Sequence, residues 1–164
     1  FSKEKKFPIS IKLIVSNNKK AKGLKYSKQY KIEKKIINFK NNKLAERKIL
    51  KTLLKKKINF ICLAGFMKIL SKIFIKNFKG KIINIHPSLL PKYKGLNTHS
   101  RVIKNKEKFS GCTVHYVASK LDSGKIIMQK KVKITKKESP FSLKKKVLKK
   151  EHEIYPAAIK KILN

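Results

Sequence analysis

The sequence is poor in acidic residues, glycine and cysteine, and it has no tryptophan. Asp and Glu together number 8 against 45 Lys and Arg, so the formal net charge is +37. The 6 glycines are not clustered, and neither GxGxxG nor GxxxxGK[ST] occurs, which counts against a nucleotide-binding loop within these 164 residues. No apolar run approaches the roughly 20 residues that a membrane-spanning helix needs.

The 2 cysteines, Cys62 and Cys112, lie in apolar runs and lack the spacing of metal ligands. A catalytic thiol or a disulfide is the functional interpretation, but free cysteine is most often a small buried residue, so we expect two reduced core side chains. His99 and His152 form no metal-ligand pattern either, and we expect no metal. No signal peptide is visible, which predicts a cytoplasmic protein. The first residue is Phe1 rather than Met, and we expect a fragment of a longer protein.

The large positive charge has two interpretations. One interpretation is that the protein binds a polyanion such as nucleic acid, because a strongly basic surface attracts phosphates. The lysines are spread over the whole chain, however, and Lys, Ile and Asn share AT-rich codons, so a bias in genome composition is the other. We favour the compositional explanation, and expect neither a specific nucleic-acid partner nor a membrane partner. A basic nucleic-acid-binding module remains the less favoured alternative.

Strand-like and helix-like segments alternate along the chain, without an internal repeat. Strands are predicted over 9–15, 31–38, 58–64, 81–85, 110–117 and 125–134. Helices are predicted over 21–29, 41–57, 73–78, 99–106 (capped by Thr98) and from Pro140 to 150 or 163, with an interruption near Pro156. The alternation predicts one α/β domain, residues 1–164, with a mostly parallel twisted sheet and helices on both faces.

Ligands of such sheets bind beyond the carboxyl ends of the strands, where Asn84 and His86 lie. Residues two apart in a strand leave the same face, so an amide donor and an imidazole are expected side by side. Acyl transfer to an amine needs a donor for the oxyanion and a group that accepts a proton. Asp122, in the loop LDSG, is placed to orient His86, with Gly124 giving the loop its freedom. His115 alternates with Thr113 and Val117 along a strand and is expected to support the site.

Five motifs occur in order: AGFMKIL (64–70), INIHPSLLPKYKGLNTH (83–99), GCTVHYV (111–117), LDSGKIIMQ (121–129) and EHEIYP (151–156). Together they resemble the folate-dependent formyltransferase superfamily. LNTH in place of a GAAP-like sequence is typical of the glycinamide ribonucleotide branch. Methionyl-tRNA formyltransferases and formyltetrahydrofolate hydrolases are less similar and remain alternatives, as does a non-catalytic remnant.

The resemblance implies a formyltransferase (Rossmann-like) fold, a monomer or homodimer, and 10-formyltetrahydrofolate as co-substrate. It implies catalysis by Asn84, His86 and Asp122, supported by His115. The folate would contact Leu63, Phe66, Met67, Lys68, Ile69, Leu70, Ile82, Val117, Ala118, Ser119, Lys120 and Leu121. Glycinamide ribonucleotide would contact Met67, Ile85, Pro87 and Glu151.

The sequence departs from the family pattern in two places. Family members open with a strand and a Gly-rich loop of the GNGSN type that binds the substrate phosphate, whereas residues 1–7 resemble the end of the helix that follows. We therefore expect the 164-residue chain by itself to have little or no activity. Asn97 stands where the family has a histidine, which affects loop contacts rather than the catalytic centre.

Overall fold

The computed structural model describes residues 7–164. The resemblance of residues 1–7 to the end of a helix lies outside this range, apart from Phe7. Contacts divide the chain into two compact units, one running to Asn59 and including Lys76–Gly80, the other formed by Phe60–Ile75 and Lys81–Asn164. A single domain over residues 1–164 stays a prediction.

The first unit contains two parallel strands. Strand β1 (Leu13–Ser16) pairs with β2 (Glu33–Ile36), and between them lie a 3-10 turn (Lys22–Leu24) and helix α1 (Lys25–Gln29). The predicted strands and short helix are confirmed, with both strands shorter than the predicted 9–15 and 31–38.

Helix α2 (Asn42–Lys55) begins where the Asn41 side chain accepts a hydrogen bond from the Leu44 backbone N–H at 3.0 Å. Its buried apolar side chains, Ala45, Ile49 and Leu53, recur every four residues. Two further leucines of this helix, Leu44 and Leu54, are exposed. Each lies one residue from the buried row, and a step of one residue turns about 100° around the helix axis.

The second unit contains a four-stranded mixed sheet in the order β3-β4-β5-β6. Strands β3 (Phe60–Leu63) and β4 (Lys81–His86) are parallel, as predicted, whereas β5 (Phe109–Tyr116) and β6 (Ile126–Lys133) join antiparallel. Its helices are α3 (Lys72–Asn77, which ends in the first unit), α4 (Thr98–Lys104) and α5 (Pro140–Leu163). The predicted α/β class is confirmed.

Helix α5 packs on β5 and β6. Ser139 caps its amino terminus in a capping box, and Pro140 lies in its first turn. The predicted interruption near Pro156 is wrong, because the helix is continuous to Leu163. A proline inside a helix removes one backbone hydrogen bond. Buried residues on both sides of it, Ile154 and Ala158, anchor the helix in the core and offset that loss.

Two smaller predictions also need correction. Asn97, in the left-handed region with φ 56°, occupies the cap position of α4, so Thr98 is the first helical residue rather than the cap. Cys112 lies in the core as expected, but Cys62 is exposed; both are free. Residues 7–164 contain no helix with the length and hydrophobicity to span a membrane.

Candidate active site

The candidate site starts from one face of the β4–β5 pair. Asn84 lies opposite His115, and His86 lies opposite Thr113, in the antiparallel register. Directly opposed residues project from the same face of a sheet. The two residues predicted from β4 therefore share a face with the predicted supporting histidine.

Asp122 joins this group from the loop between β5 and β6. Its Oδ2 lies 3.3 Å from His86 Nδ1, and its Oδ1 lies 3.7 Å from His115 Nε2. Only 7% of each of the Asp122 and His86 side-chain surfaces is exposed. The predicted convergence of Asn84, His86 and Asp122 is confirmed as geometry, while their catalytic roles stay predictions.

The Asp122 loop is held by backbone contacts on two sides. The Gly95 N–H donates to Asp122 Oδ2 at 2.9 Å, and Asp122 has φ 45°, in the left-handed region that Asp tolerates better than most residues. Gly124 is needed for a different reason from the predicted freedom. A Cβ at this position would lie 1.8 Å from the Tyr116 carbonyl oxygen, so the loop closes against β5 only without a side chain.

His115 orients the Asn84 amide. Its Nδ1 donates to the Tyr116 carbonyl at 2.8 Å, and its Nε2 accepts from Asn84 Nδ2 at 3.3 Å, so both contacts fit one neutral tautomer. This leaves the second N–H of Asn84 available for a ligand. Burial lowers the pKa of His115, against smaller opposite effects of the Tyr116 carbonyl and Asp122.

The lowered pKa of His115 predicts a loss of stability in acid. The folded state keeps the ring neutral, whereas the unfolded chain takes up a proton near the ordinary pKa of 6.5, so the free energy of unfolding falls as the pH drops below that value. We expect the free energy of unfolding, measured by urea denaturation, to fall less between pH 8 and pH 5.5 in His115→Gln than in the unchanged chain. The control is His152→Gln, at an exposed position on α5. Equal losses in all three proteins would contradict the prediction.

His86 faces two hydrogen-bond acceptors. Its Nε2 lies 2.9 Å from the Tyr93 carbonyl oxygen, and its Nδ1 faces Asp122. A neutral imidazole has one N–H and satisfies one of these acceptors, whereas a ring that has taken up a second proton satisfies both. This arrangement suits a group that receives a proton during a reaction.

A pocket opens beside this polar group. It is lined by Asn84, His115 and Asp122 and by nine of the predicted folate residues, namely Leu63, Phe66, Lys68, Ile69, Leu70, Val117, Ala118, Lys120 and Leu121. Three predicted folate residues are not in the lining. Met67 is 73% exposed, Ser119 is exposed, and Ile82 is buried beneath, where its carbonyl accepts from the Val117 N–H at 2.9 Å.

The predicted substrate residues are more scattered. Ile85 is buried and leaves β4 on the face opposite to Asn84 and His86, while Pro87 follows the strand. Glu151 is half-buried on α5, where burial raises its pKa and Lys144 opposes the shift. Their roles stay predictions.

Sequence reasoning missed several residues around the site, because their roles depend on tertiary contacts. The Tyr93 carbonyl and the Gly95 N–H hold His86 and Asp122. His99 has a buried Nδ1 without a hydrogen-bond partner. Burial lowers the pKa of His99, with smaller contributions in the same direction from Lys144 and His86.

Comparison with known proteins agrees with this geometry. The formyl transferase family model matches residues 2–159. The phosphoribosylglycinamide formyltransferase of Haemophilus influenzae is 41% identical over 156 residues, which cover 93% of this chain and 74% of the relative. The human trifunctional purine biosynthetic protein adenosine-3 is 38% identical over 152 residues, covering 91% of this chain but only 15% of that much longer protein.

Solved structures give the same result. The crystal structure of phosphoribosylglycinamide formyltransferase from Anaplasma phagocytophilum superposes with a TM-score of 0.91 at 39% identity, covering 99% of this chain and 77% of that one. The enzyme from Brucella melitensis gives 0.90 at 38% identity, covering 97% and 83%. The predicted formyltransferase fold is thus confirmed. The chain belongs to the formyl transferase family, in the branch of the phosphoribosylglycinamide formyltransferases.

Proposed function

We propose that this chain carries the catalytic centre of an enzyme that transfers the formyl group of 10-formyltetrahydrofolate to the amine of glycinamide ribonucleotide in purine biosynthesis. The observation that supports this most directly is the group of Asn84, His86 and Asp122 at the edge of a pocket with largely apolar walls. The Haemophilus influenzae relative and the two solved structures described above are named phosphoribosylglycinamide formyltransferase, so the tRNA-formylating and hydrolase alternatives are not favoured.

The proposed reaction is a direct transfer. The substrate amine attacks the formyl carbon, a new C–N bond forms, and the formyl oxygen carries negative charge in the tetrahedral intermediate. The free N–H of Asn84 donates to this oxygen, because the other N–H is held by His115 at 3.3 Å. A donor whose direction is fixed in advance needs no reorganisation during the reaction.

A proton must then move from the attacking nitrogen to the leaving nitrogen of the folate. His86 receives it, since a second ring proton completes the hydrogen bonds to both Asp122 and the Tyr93 carbonyl. Collapse of the intermediate breaks the bond from the formyl carbon to the folate nitrogen, and that nitrogen takes the proton. Tetrahydrofolate and the formylated amine are released, without a covalent enzyme intermediate.

The folate is proposed to lie in the pocket between the segment Leu63–Leu70 and the loop from Val117 to Asp122. Flat heterocycles bind in apolar clefts with a few fixed polar groups. Glycinamide ribonucleotide is proposed to approach from the side of Pro87 and Glu151. The cytoplasmic location is part of the proposal, and the free thiols of Cys62 and Cys112 are compatible with it.

The folate site predicts a difference between two exposed isoleucines. Ile69 lines the pocket and is 62% exposed, whereas Ile73 is 68% exposed outside the lining. Burying an isoleucine against a ligand contributes about 1.5–3 kcal/mol, so Ile69→Asp is expected to weaken binding of a non-transferable folate analogue at least about 10-fold. Calorimetric titration measures the affinity, and Ile73→Asp is the matched control. Equal affinities of the two variants would contradict this location of the site.

The whole reaction is tested by measuring formyl transfer to glycinamide ribonucleotide. Two proteins are compared: the chain itself and a chimera in which the amino-terminal segment of the Haemophilus influenzae relative precedes residue 1. We expect turnover in the chimera and little or none in the chain, because the predicted Gly-rich loop supplies phosphate contacts worth roughly 1.5–3 kcal/mol each. A chimera that binds folate and does not formylate this substrate would overturn the proposed activity.

A further inference from the structure

Three side chains outside the pocket lining surround Tyr93, a tyrosine of the loop that follows β4. The Tyr93 hydroxyl donates to Glu107 Oε1 at 2.9 Å and accepts from Asn105 Nδ2 at 3.0 Å. The Arg101 guanidinium lies 5.4 Å from the centre of the Tyr93 ring. We call Tyr93, Arg101, Asn105 and Glu107 the Tyr93 clamp.

The clamp contains charged side chains and contacts the residues on either side of Tyr93. Lys92 Nζ lies 3.1 Å from Glu107 Oε1, and Lys92 and then Tyr93 hold the pKa of Glu107 below its usual range. Arg101 Nη1 also donates to the Lys94 carbonyl at 2.6 Å. Helix α4 and the turn after it thus hold three consecutive residues of the loop, 92–94.

The backbone of the same segment meets the catalytic side chains. The Tyr93 carbonyl accepts from His86 Nε2 at 2.9 Å, and the Gly95 N–H donates to Asp122 Oδ2 at 2.9 Å. Tyr93 adopts φ 57° and Gly95 φ 78°. A tyrosine avoids the left-handed region unless its surroundings enforce it, so this backbone needs an external anchor.

We propose that the Tyr93 clamp is a positioning device, which sets the ring of His86 and the carboxylate of Asp122 through the backbone of residues 93–95. Glu107 and Asn105 fix the Tyr93 hydroxyl, and the side chain in turn fixes the Tyr93 backbone. The Tyr93 carbonyl then positions His86, and the Gly95 N–H positions Asp122. These are positioning residues, because none of the four clamp side chains lines the pocket. The catalytic part of this inference rests on the proposed function.

The test is nuclear magnetic resonance of the whole 164-residue chain without substrate. With 4 histidines and 6 glycines in the sequence, the His86 ring and the Gly95 amide are observable individually. Glu107→Ala and Tyr93→Phe are expected to shift both signals in the same direction, and the double variant is expected to add little, because the two changes break one connection. Glu107→Gln, which keeps an acceptor for the hydroxyl, is expected to restore most of the original spectrum.

The matched control is Glu153→Ala, which removes an exposed carboxylate that pairs with Lys150 at 2.8 Å on α5. It is expected to leave the His86 and Gly95 signals in place. In the transfer assay of the chimera, Glu107→Ala is expected to lower kcat about 10-fold at nearly unchanged KM for folate, since displacement of a catalytic group affects turnover more than binding.

Unchanged His86 and Gly95 signals in Glu107→Ala and Tyr93→Phe would overturn the proposal, and so would equal shifts in Glu153→Ala. Should Glu107→Ala fail to fold, Tyr93→Phe decides by the same two signals. Failure of the proposed function is a separate result. It would be seen as absent turnover in the chimera, while the spectra of the chain still report whether the clamp positions the two side chains.

Discussion

Replacement of Asp122 by asparagine is expected to lower formyl transfer by about 10²–10⁴-fold, the usual contribution of a positioned acid–base group. Asp122 is the only aspartate in the sequence, and its carboxylate lies 3.3 Å from His86 Nδ1. The substitution keeps the size of the side chain and an oxygen that accepts from the Gly95 N–H. Any loss of activity therefore reports the negative charge of the carboxylate rather than the volume of the side chain.

The physical reason is the charge beside His86. Asp122 Oδ2 both accepts from the Gly95 N–H and faces His86 Nδ1, so the amide oxygen of an asparagine at this position keeps both contacts only as a neutral acceptor. Loss of the carboxylate removes the negative charge that stabilises a doubly protonated ring. His86 is therefore a weaker acceptor for the proton of the substrate amine.

The measurement is kcat in the transfer assay of the chimera, together with folate affinity by calorimetry. Folate affinity is expected to stay within about 3-fold, a difference well below 1.4 kcal/mol. Glu153→Gln is the control for the loss of one negative charge, since that carboxylate is exposed on α5. A rate for Asp122→Asn within a factor of a few of the unchanged protein would remove Asp122 from the proposed catalytic group.

Replacement of Gly124 by alanine is expected to reduce both stability and turnover. The added Cβ would lie 1.8 Å from the Tyr116 carbonyl oxygen and 2.7 Å from its carbon, and neither is a flexible side chain that could move away. Either the loop or the end of β5 must shift. Overpacking of this kind destabilises proteins by about 1–3 kcal/mol.

The same shift reaches the proposed catalytic group, because Asp122 is two residues away and His115 precedes Tyr116 on β5. A displacement of about 1 Å is enough to lower turnover about 100-fold. Urea denaturation gives the free energy of unfolding, and the chimera gives kcat. The control is Gly23→Ala, where nothing lies within 4 Å of the added Cβ and the expected effect is within about 1 kcal/mol.

Equal stabilities of the Gly124→Ala and Gly23→Ala variants would show that the loop adapts without strain. Asp122 would then be held mainly by its hydrogen bond from Gly95. A stable Gly124→Ala variant with low turnover would show a shift in geometry alone. The stability and the turnover of Gly124→Ala together assign the role of this glycine to packing, to positioning of Asp122, or to both.

The residues of the site could be predicted because their spacing is local. Asn84 and His86 are two apart in a strand that ends before Pro87, and alternation along a strand puts them on one face whatever surrounds it. The antiparallel direction of β5 and β6 was not predicted, although the nine-residue connection from Val117 to Lys125 is too short for a parallel crossover. The length of that loop was a signal in the sequence.

The sequence by itself determined the α/β class and the strands that carry the site, because period and turn residues are properties of neighbouring residues. The motifs indicated the family, and the resemblance to it implied most of the pocket lining. Only the tertiary structure decided that α5 continues through Pro156, that Gly124 is required by the Tyr116 carbonyl, and that Glu107 anchors Tyr93 beside His86. Each of these depends on atoms from segments distant in sequence, and a local pattern has no information about which segments meet.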